Sequence, residues 1–328
     1  RGVDRSMGSR GGRAGLRGRW PEMERRTLGR TDMEVSRLGC GLAAIAQETL
    51  DDLRAVERTL LTALERGINF FDTAECYLDS EEMVGRVISR RRPEFFLATK
   101  CGHSPDGERD EWTAQGIAAS IDRSLRRLRT DYVDLLQLHS CDLATLKRGE
   151  AIEALVRARQ AGKTRFIGYS GDNEMAQWAV ESGVFDTCQV SFSLVDQRPR
   201  FDLLQLARER GVGVIVKRPI ANGAWGSPTS PTAHLRWGSD YGDEYWRRSQ
   251  SMASLGPLRA APEDAVTLAL GFVFAHPQVD TAILGTRNPD HMRSNIELVE
   301  GGLSLDSSVV YELYRRWDEL DDGWLGQK

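Results

Sequence analysis

Short apolar runs of strand length alternate with amphipathic segments of helix length through most of this 328-residue chain. Eight such strand–helix units follow one another, each of roughly 30 residues, the usual size of one unit. A helical crossover of this kind joins parallel strands, because it returns the chain to the same end of the sheet. Eight units in this length predict a closed (β/α)8 barrel, or TIM barrel.

The predicted strands are apolar runs that stop at a loop. They are Ser36–Gly41, Ile68–Asp72, Phe95–Lys100, Val133–His139, Thr164–Ser170, Thr187–Ser191, Val212–Lys217 and Thr281–Gly285. The predicted helices are Asp52–Arg66, Ser80–Arg90, Thr113–Leu128, Gly149–Ala161, Glu174–Ser182, Phe201–Arg210, Pro262–Ala275 and Pro289–Glu300. An N-terminal β-hairpin after Met23, a long loop after strand seven and a C-terminal helix complete the predicted fold.

The segment GCGLAA, from Gly39 to Ala44, offers a rival interpretation. It matches the G-x-G-x-x-A pattern after the first strand of doubly wound, dinucleotide-binding sheets. That fold also has an acidic residue about twenty positions further on, at the end of a second strand. Here the candidate is near Glu57, inside a predicted helix, so the barrel is favoured.

Composition and charge narrow the possible functions. With 40% hydrophobic and 28% charged residues, the chain has a globular composition. Its net charge of −4 gives no reason to expect nucleic acid or anionic membrane as partners. Its longest apolar stretches, such as Ala265–Ala275, are too short to span a bilayer. Five cysteines, an odd number, and no visible signal peptide lead us to expect a reducing cytoplasm.

Residues 1–22 differ from the rest. They are rich in Arg and Gly and lack apolar periodicity, so we expect a disordered extension or added upstream sequence, with a plausible start at Met23. A nucleic-acid-binding arm is the less favoured alternative. Residues 23–328 are expected to form a single barrel domain.

The connection between Lys217 and Pro262 is unusually long and contains several aromatic residues, among them Trp225 and Trp237. Loops of this length are usually functional, and in a barrel this one would lie on the active face. A lid over a ligand and a surface loop that packs its own aromatic side chains both remain open.

Polar side chains mark the carboxyl ends of the predicted strands, where barrel enzymes collect their catalytic groups. They are Asp72, Lys100, His139, Ser170 and Gln189, with Tyr77 just after strand two. A tyrosine with a pKa near 10 is a poor acid–base catalyst at neutral pH. An ammonium group about 4 Å away would favour the phenolate by up to ~4 kcal/mol at an effective dielectric of ~20. We therefore expect Lys100 to lower the pKa of Tyr77 despite desolvation, and Asp72 to hold Lys100 charged.

Three segments then reveal a family resemblance. FFDTAECY, FFLATKCG and DYVDLLQLHS resemble the three signatures of the aldo-keto reductases, in the right order and at the right strand ends. The resemblance covers the chain from about Met23 onward and implies a (β/α)8 barrel that uses NAD(P)H without a Rossmann domain. It implies that Tyr77 is the general acid–base, that Lys100 and Asp72 tune it, and that His139 positions a substrate carbonyl.

The same resemblance implies a set of cofactor contacts. IGYSGD resembles a segment that holds the nicotinamide carboxamide, although Gly171 replaces the usual asparagine. KRPIANG resembles the segment around the pyrophosphate, with Lys217 at the position where an aromatic side chain usually stacks on the nicotinamide. GTRNPDHMRSN resembles the adenosine-binding segment. The implied cofactor-binding residues are Gly41, Leu42, Asp72, Ser170, Gln189, Lys217, Arg218, Ile220, Gly223, Gly285, Thr286, Arg287, His291 and Asn295. Arg287 could pair with a 2′-phosphate, so NADPH is the expected cofactor, with NADH not excluded. No metal is expected.

The resemblance predicts an oxidoreductase that reduces an aldehyde or ketone, acting as a monomer or weak homo-oligomer. Two alternatives stay open: a cofactor-binding regulatory or redox-sensing protein similar to potassium-channel β subunits, and a non-redox barrel enzyme. Cys76 and Cys101 flank the predicted site. They are interpreted either as inert small residues, the favoured reading, or as oxidation-sensitive thiolates near Lys100.

Overall fold

The protein is described here by a computed structural model that covers residues 23–103, 112–230 and 241–327. Eight parallel strands close a barrel in the order β10-β3-β4-β5-β6-β7-β8-β9, and β9 pairs with β10. These strands are β3 (Leu38–Gly41), β4 (Phe70–Asp72), β5 (Phe96–Cys101), β6 (Val133–His139), β7 (Thr164–Ser170), β8 (Thr187–Ser191), β9 (Gly213–Lys217) and β10 (Thr281–Leu284). The barrel prediction is confirmed, and GCGLAA belongs to the first barrel strand and the loop after it.

Helices surround the barrel. They are α1 (Arg54–Glu65), α2 (Ser80–Val87), α3 (Ala114–Leu128), α4 (Leu143–Arg148), α5 (Glu150–Gln160), α6 (Asn173–Glu181), α7 (Leu203–Arg210), α8 (Tyr241–Ser254), α9 (Ala265–Phe274), α10 (Pro289–Glu300) and α11 (Ser307–Leu320). The larger apolar cluster of the protein combines side chains from these helices with outward-facing side chains of the strands, such as Phe71 and Leu136. Within the described residues, no helix combines the length and the apolar character needed to cross a membrane.

The predicted N-terminal hairpin is formed by β1 (Arg25–Thr27) and β2 (Glu34–Ser36), which pair antiparallel. Leu28, Met33 and Val35 from this hairpin are fully buried. They form a second apolar cluster with inward-facing side chains near the beginning of the strands: Phe70, Ala98, Leu135, Ile215 and Ile283. The hairpin therefore fills the end of the barrel opposite the carboxyl ends of its strands.

Two of the differences from the sequence prediction concern the first strand and the long connection after β9. Ser36–Gly41 is divided between β2 and β3, because the chain bends at Arg37 as it leaves the hairpin for the barrel. The long connection after β9 contains α8, where the sequence predicted only a loop. Its buried side chains, Tyr245, Arg248, Ser249 and Met252, have helical spacing, but two of them are polar and the hydrophobic pattern is hidden. The expectations for residues 1–22 and for Trp237 lie outside the described residues.

Candidate active site

Alternation along the strands brings polar side chains to the upper interior of the barrel. Phe70, Ala98 and Leu135 face the apolar lower interior. Two residues further along each strand, the same face presents Asp72, Lys100 and Gln137, because side chains in a strand repeat with a period of two. Further alternation carries His139 to the end of β6.

Asp72 and Lys100 form a buried ion pair. The ammonium nitrogen of Lys100 lies 2.5 Å from Oδ1 of Asp72, and both side chains are almost completely buried. Lys100 also donates to the carbonyl oxygen of Thr73 at 2.9 Å. The second carboxylate oxygen of Asp72 accepts hydrogen bonds from the amides of Gln137 and Gln189, at 3.0 and 2.9 Å. The lysine is thus held in one place by an acid that is itself fixed by two amides.

Tyr77 lies in the turn between β4 and α2. Its main-chain N–H donates to the carbonyl oxygen of Ala74 at 3.0 Å, and its own carbonyl accepts from Ser80 at 2.9 Å. Below this turn, the hydroxyls of Thr73 and Ser80 are 2.8 Å apart. The turn places the phenol oxygen of Tyr77 3.4 Å from Nζ of Lys100. The predicted Asp72–Lys100–Tyr77 arrangement is therefore present.

The pKa of Tyr77 corrects one expectation. Burial raises this pKa above its ordinary value, and the nearby Lys100 ammonium lowers it by less than burial raises it. The expected net lowering is wrong for the protein described here, because the sequence does not show how much solvent the tyrosine loses. For Lys100, burial disfavours the charge, but the carboxylate of Asp72, through its charge and its hydrogen bond, is the main opposing influence, and the net pKa is raised. The site therefore combines a protonated phenol with a charged ammonium group.

His139 lies beside the tyrosine at the end of β6. Its ring centroid is 5.8 Å from that of Tyr77 and 5.2 Å from that of His103, both in edge-to-face geometry. The Nδ1 atom is 3.3 Å from the sulfur of Cys76. Burial, followed by the charge of Lys100, lowers the pKa of His139 well below its ordinary range. The imidazole is therefore neutral at physiological pH.

Ser170 and Gln189 end neighbouring strands β7 and β8. The Ser170 hydroxyl donates to Oε1 of Gln189 at 3.0 Å, and both side chains are buried. Since the Gln189 amide also donates to Asp72, these two residues connect directly to the ion pair.

Lys217, at the end of β9, is paired with an acid that the sequence analysis did not single out. Its ammonium nitrogen lies 2.5 Å from Oδ2 of Asp172, whose other oxygen accepts from the N–H of Ser191 at 2.7 Å. Burial lowers the pKa of Lys217, and Asp172 acts in the opposite direction. The Lys217 ammonium group is thus held at the barrel rim by Asp172.

The turn after β9 has an uncommon backbone. Arg218, Ala221 and Asn222 are not glycines and have φ angles of 57, 47 and 57°, and Gly223 has a φ of 77°. Backbone strain of this kind concentrates at ligand-binding sites. Arg218 points back toward the barrel, where it donates to the carbonyl oxygen of Gln327 at 2.6 Å.

The segment predicted to hold adenosine surrounds the beginning of α10. Asn288 caps this helix by accepting from the N–H of Asp290 at 2.9 Å. Arg287 is largely exposed and lies 3.4 Å from Glu48. Thr286 accepts from the N–H of Asn288, whereas His291 is exposed and Asn295 is buried in the helix face. The residues of this segment lie in the loop after β10 and in α10.

Gly41 and Gly285 face each other across the ends of β3 and β10. A Cβ atom at Gly285 would lie only 2.9 Å from the carbonyl oxygen of Gly41, so this approach requires glycine. Leu42, next in the chain, is buried and donates its N–H to the carbonyl of Asp72 at 2.9 Å. The structure thus connects this rim to the ion pair through the backbone of Leu42.

Comparison with known proteins identifies the family. The family model described as "Aldo/keto reductase family" matches residues 37–313, most of the chain. This chain belongs to the aldo/keto reductase family.

Its relatives include enzymes from plants and bacteria. L-galactose dehydrogenase of Arabidopsis thaliana is 30% identical over 310 residues, which cover 89% of this chain and 93% of the relative. The NADH-specific methylglyoxal reductase of Escherichia coli is 26% identical, with coverages of 89% and 98%. The holo form of aldo-keto reductase AKR11C1 from Bacillus halodurans superimposes with a TM-score of 0.73 at 27% identity, covering 90% of this chain and 96% of that one. As an aldo-keto reductase, the protein is an oxidoreductase of a family that uses nicotinamide cofactors.

The rim of this aldo-keto reductase fits a nicotinamide nucleotide. The Ser170 hydroxyl and Gln189 amide offer both donors and acceptors, as a carboxamide requires. The strained turn Arg218–Gly223 carries a guanidinium group suited to phosphate. A further anion-binding feature is the N-terminus of α10, whose helix dipole favours negative charge.

Sequence reasoning missed three site features of this aldo-keto reductase. Gln137, which bonds Asp72, lies two residues before His139 on the same strand face, so the period of two could have revealed it. Asp172 could have been found only by asking which anion neutralises Lys217. The C-terminal segment after α11 also lies against the rim, since Asn173 exchanges hydrogen bonds with the main chain of Gly326 at 2.9 and 2.8 Å.

The cysteines favour the inert interpretation. All five are free. Burial raises the pKa of Cys76 to about 12 and that of Cys101 well above its ordinary value, although Lys100 opposes the shift at Cys76. The premise of a Lys100-stabilised thiolate at either position is therefore contradicted.

Proposed function

We propose that this aldo-keto reductase reduces an aldehyde or ketone to an alcohol with a nicotinamide cofactor. The observation that supports this most directly is the ammonium group of Lys100, which lies between the Asp72 carboxylate and the Tyr77 hydroxyl. A lysine in that position stabilises the negative charge that forms when a phenol gives up its proton. The site thus suits proton transfer to an oxygen atom.

Four residues carry the proposed chemistry. Tyr77 donates its proton to the substrate oxygen, and Lys100 stabilises the resulting phenolate. Asp72 keeps Lys100 charged and in place, and Gln137 and Gln189 hold Asp72 through its second oxygen. Neutral His139 orients the carbonyl group by hydrogen bonding. The raised pKa of Tyr77 suits an acid, because it keeps the proton on the phenol until the substrate oxygen becomes basic.

The proposed cofactor contacts follow the barrel rim. Ser170 and Gln189 bind the carboxamide, and Asp72 and the Lys217 stem lie near the ring. Arg218, Ile220 and Gly223 bind the pyrophosphate. The adenosine end is assigned to the rim formed by Gly41, Leu42, Gly285, Thr286, Arg287, His291 and Asn295. When bound, the nicotinamide supplies the hydride for the carbonyl carbon.

NADPH is the proposed preferred cofactor. Arg287 supports this, because its largely exposed guanidinium group has, among the residues that the structure describes, only a 3.4 Å contact with Glu48 and is available to a 2′-phosphate. NADH is not excluded, since the Escherichia coli relative carries the name NADH-specific methylglyoxal reductase. Arg287→Gln should raise the KM for NADPH at least tenfold and leave the KM for NADH within about twofold. A clear NADH preference in the unaltered protein would contradict the role of Arg287.

The remaining assignments are also proposals. Residues 23–328 form one catalytic domain, and the partner is a small-molecule carbonyl compound, with neither nucleic acid nor membrane involved. The protein acts in the cytoplasm as a monomer or weak homo-oligomer.

The function is tested by titrating NADPH and NADH against protein fluorescence, followed by a panel of aldehydes and ketones monitored by cofactor absorbance. We expect saturable cofactor binding and turnover of at least one carbonyl class. Tight binding of NADP with no turnover across the panel would favour a regulatory protein. Failure to bind either nucleotide would favour a non-redox barrel enzyme.

A further inference from the structure

The residue before the proposed acid contacts the residue proposed to orient the substrate. Cys76 occupies the β4–α2 turn, and its sulfur lies 3.3 Å from Nδ1 of His139. This distance is within the range of a hydrogen bond to sulfur. In the part of the chain that the structure describes, no other group hydrogen-bonds the His139 ring, so Nε2 is left without a protein partner.

Both members of this contact are uncharged at neutral pH. Burial raises the pKa of Cys76 to about 12, so the thiol keeps its proton. Burial and the charge of Lys100 lower the pKa of His139 well below its ordinary range, so the ring carries a single N–H. The pair therefore has one S–H and one N–H, and two arrangements are possible.

In the first arrangement, the thiol donates to Nδ1 and the ring proton is on Nε2. In the second, Nδ1–H donates to sulfur and Nε2 is a bare acceptor. The first arrangement pairs the weak S–H donor with a strong nitrogen acceptor, whereas the second pairs the ring N–H with sulfur, a weak acceptor. Only the first leaves an N–H that can donate to a carbonyl oxygen, because a bare Nε2 would face the oxygen lone pairs.

We infer that Cys76 is a positioning residue that fixes His139 as the Nε2–H tautomer. This inference rests on the proposed function, in which His139 donates to the substrate carbonyl. It differs from the redox interpretation of the cysteines, since the thiol acts as a protonated donor and undergoes no covalent change. It also gives a physical reason for a cysteine beside Tyr77, where its side chain can reach the ring at the end of β6.

The test is long-range ¹H–¹⁵N NMR of the imidazole rings at neutral pH, without substrate, with the His139 signals assigned by their loss in His139→Gln. We expect a bare Nδ1 and a protonated Nε2 in the unaltered protein. In Cys76→Ala the ¹⁵N chemical shift of Nδ1 should change toward the value of a mixture of the two tautomers. Cys76→Ser should restore the original chemical shift, because the serine hydroxyl is again a donor. Cys141→Ala is the matched control, since that buried thiol makes no hydrogen bond to the ring among the described residues and the spectrum should not change.

Kinetics supply a second readout. Cys76→Ala should lower kcat/KM for a carbonyl substrate about threefold to tenfold, the loss expected for one weak neutral hydrogen bond. The Kd for the cofactor should stay unchanged, and Cys76→Ser should recover most of the activity. A protonated Nδ1 in the unaltered protein, or identical His139 shifts in Cys76→Ala, would overturn the inference. The spectra need no turnover, so this outcome is distinct from failure of the proposed function.

Discussion

Lys100 is the residue whose surroundings most restrict what this site can do. Its ammonium group is inaccessible to solvent, 2.5 Å from Asp72 and 3.4 Å from Tyr77. A buried charge without a partner would be very costly, so the lysine and the aspartate must be considered together. In the proposed reaction, the pair would assist proton transfer because its positive end faces the phenol.

Replacement of Lys100 by Met separates stability from catalysis. Lys100→Met leaves Asp72 buried without its cation, and we expect a loss of about 3–5 kcal/mol in the free energy of unfolding. Lys100→Met combined with Asp72→Asn should recover much of that loss, because the neutral amide needs no cation, but carbonyl reduction should remain lost. Denaturant unfolding and turnover measure the two effects. Retained reduction in the folded double variant would contradict the role of Lys100.

The protonation states predict the pH profile of carbonyl reduction. Burial raises the pKa of Tyr77 above its ordinary value of about 10, so the acid stays protonated through neutral pH. His139 stays neutral there because burial lowers its pKa. We therefore expect kcat/KM at saturating cofactor to be flat from about pH 7 to 9 and to fall only as the phenol ionises. A titration within that interval would contradict these assignments.

At the scale of elements, the N-terminal hairpin closes the lower end of the barrel. Gly29 has a φ of 53°, and a Cβ atom there would lie 2.1 Å from the backbone nitrogen of Gly213 in β9. The hairpin turn therefore needs glycine for both its conformation and its approach to the barrel. Its tip supplies Leu28 to the interior cluster below the ion pair.

Gly29→Ala should therefore destabilise the protein by about 2–5 kcal/mol, from left-handed strain plus overpacking against β9. Gly162→Ala is the matched control, since Gly162 has a φ of 74° but no atom near its missing Cβ. It should cost only about 1 kcal/mol. Chemical denaturation measures both values. Equal effects of the two substitutions would show that the hairpin does not pack closely on the barrel.

The C-terminal segment and α8 pack together near the carboxyl ends of the barrel strands. Arg248 of α8 is buried, pairs with Glu244 and donates to the carbonyl oxygen of Leu325 at 2.9 Å. Arg218, which is proposed to bind pyrophosphate, donates to the carbonyl oxygen of Gln327, two residues further along the C-terminal segment. The long connection after β9 thus helps to hold the chain end against the rim that is proposed to bind the cofactor.

For the whole molecule, alternation of strands and helices was sufficient to predict the barrel, and strand ends were sufficient to predict Asp72, Lys100 and His139 as neighbours. Features that depend on tertiary partners were harder to predict. Helix α8 was missed because Arg248 and Ser249 occupy buried positions, which a hydrophobic pattern does not reveal. The predicted direction of the Tyr77 pKa shift was wrong, because the direction depends on the balance between burial, which raises the pKa, and the positive charge of Lys100, which lowers it.

The barrel also explains how distant segments make one site. Parallel strands bring all their carboxyl ends to one rim, so residues from β4, β5, β6 and β8 meet around a single lysine. The hairpin supports this cluster from below, and the loops supply Tyr77 and the proposed phosphate contacts from above. The proposed reaction thus depends on the whole fold, although the proton comes from one side chain.

Tyr77→Phe tests that central claim most directly, with cofactor Kd and carbonyl turnover measured on the same preparation. We predict a fall in kcat of at least about 10²-fold, since general acid catalysis typically contributes 10²–10⁴. The Kd for NADPH should remain within about twofold, because only the hydroxyl is removed. Turnover equal to that of the unaltered protein would contradict the assignment of Tyr77 as the proton donor.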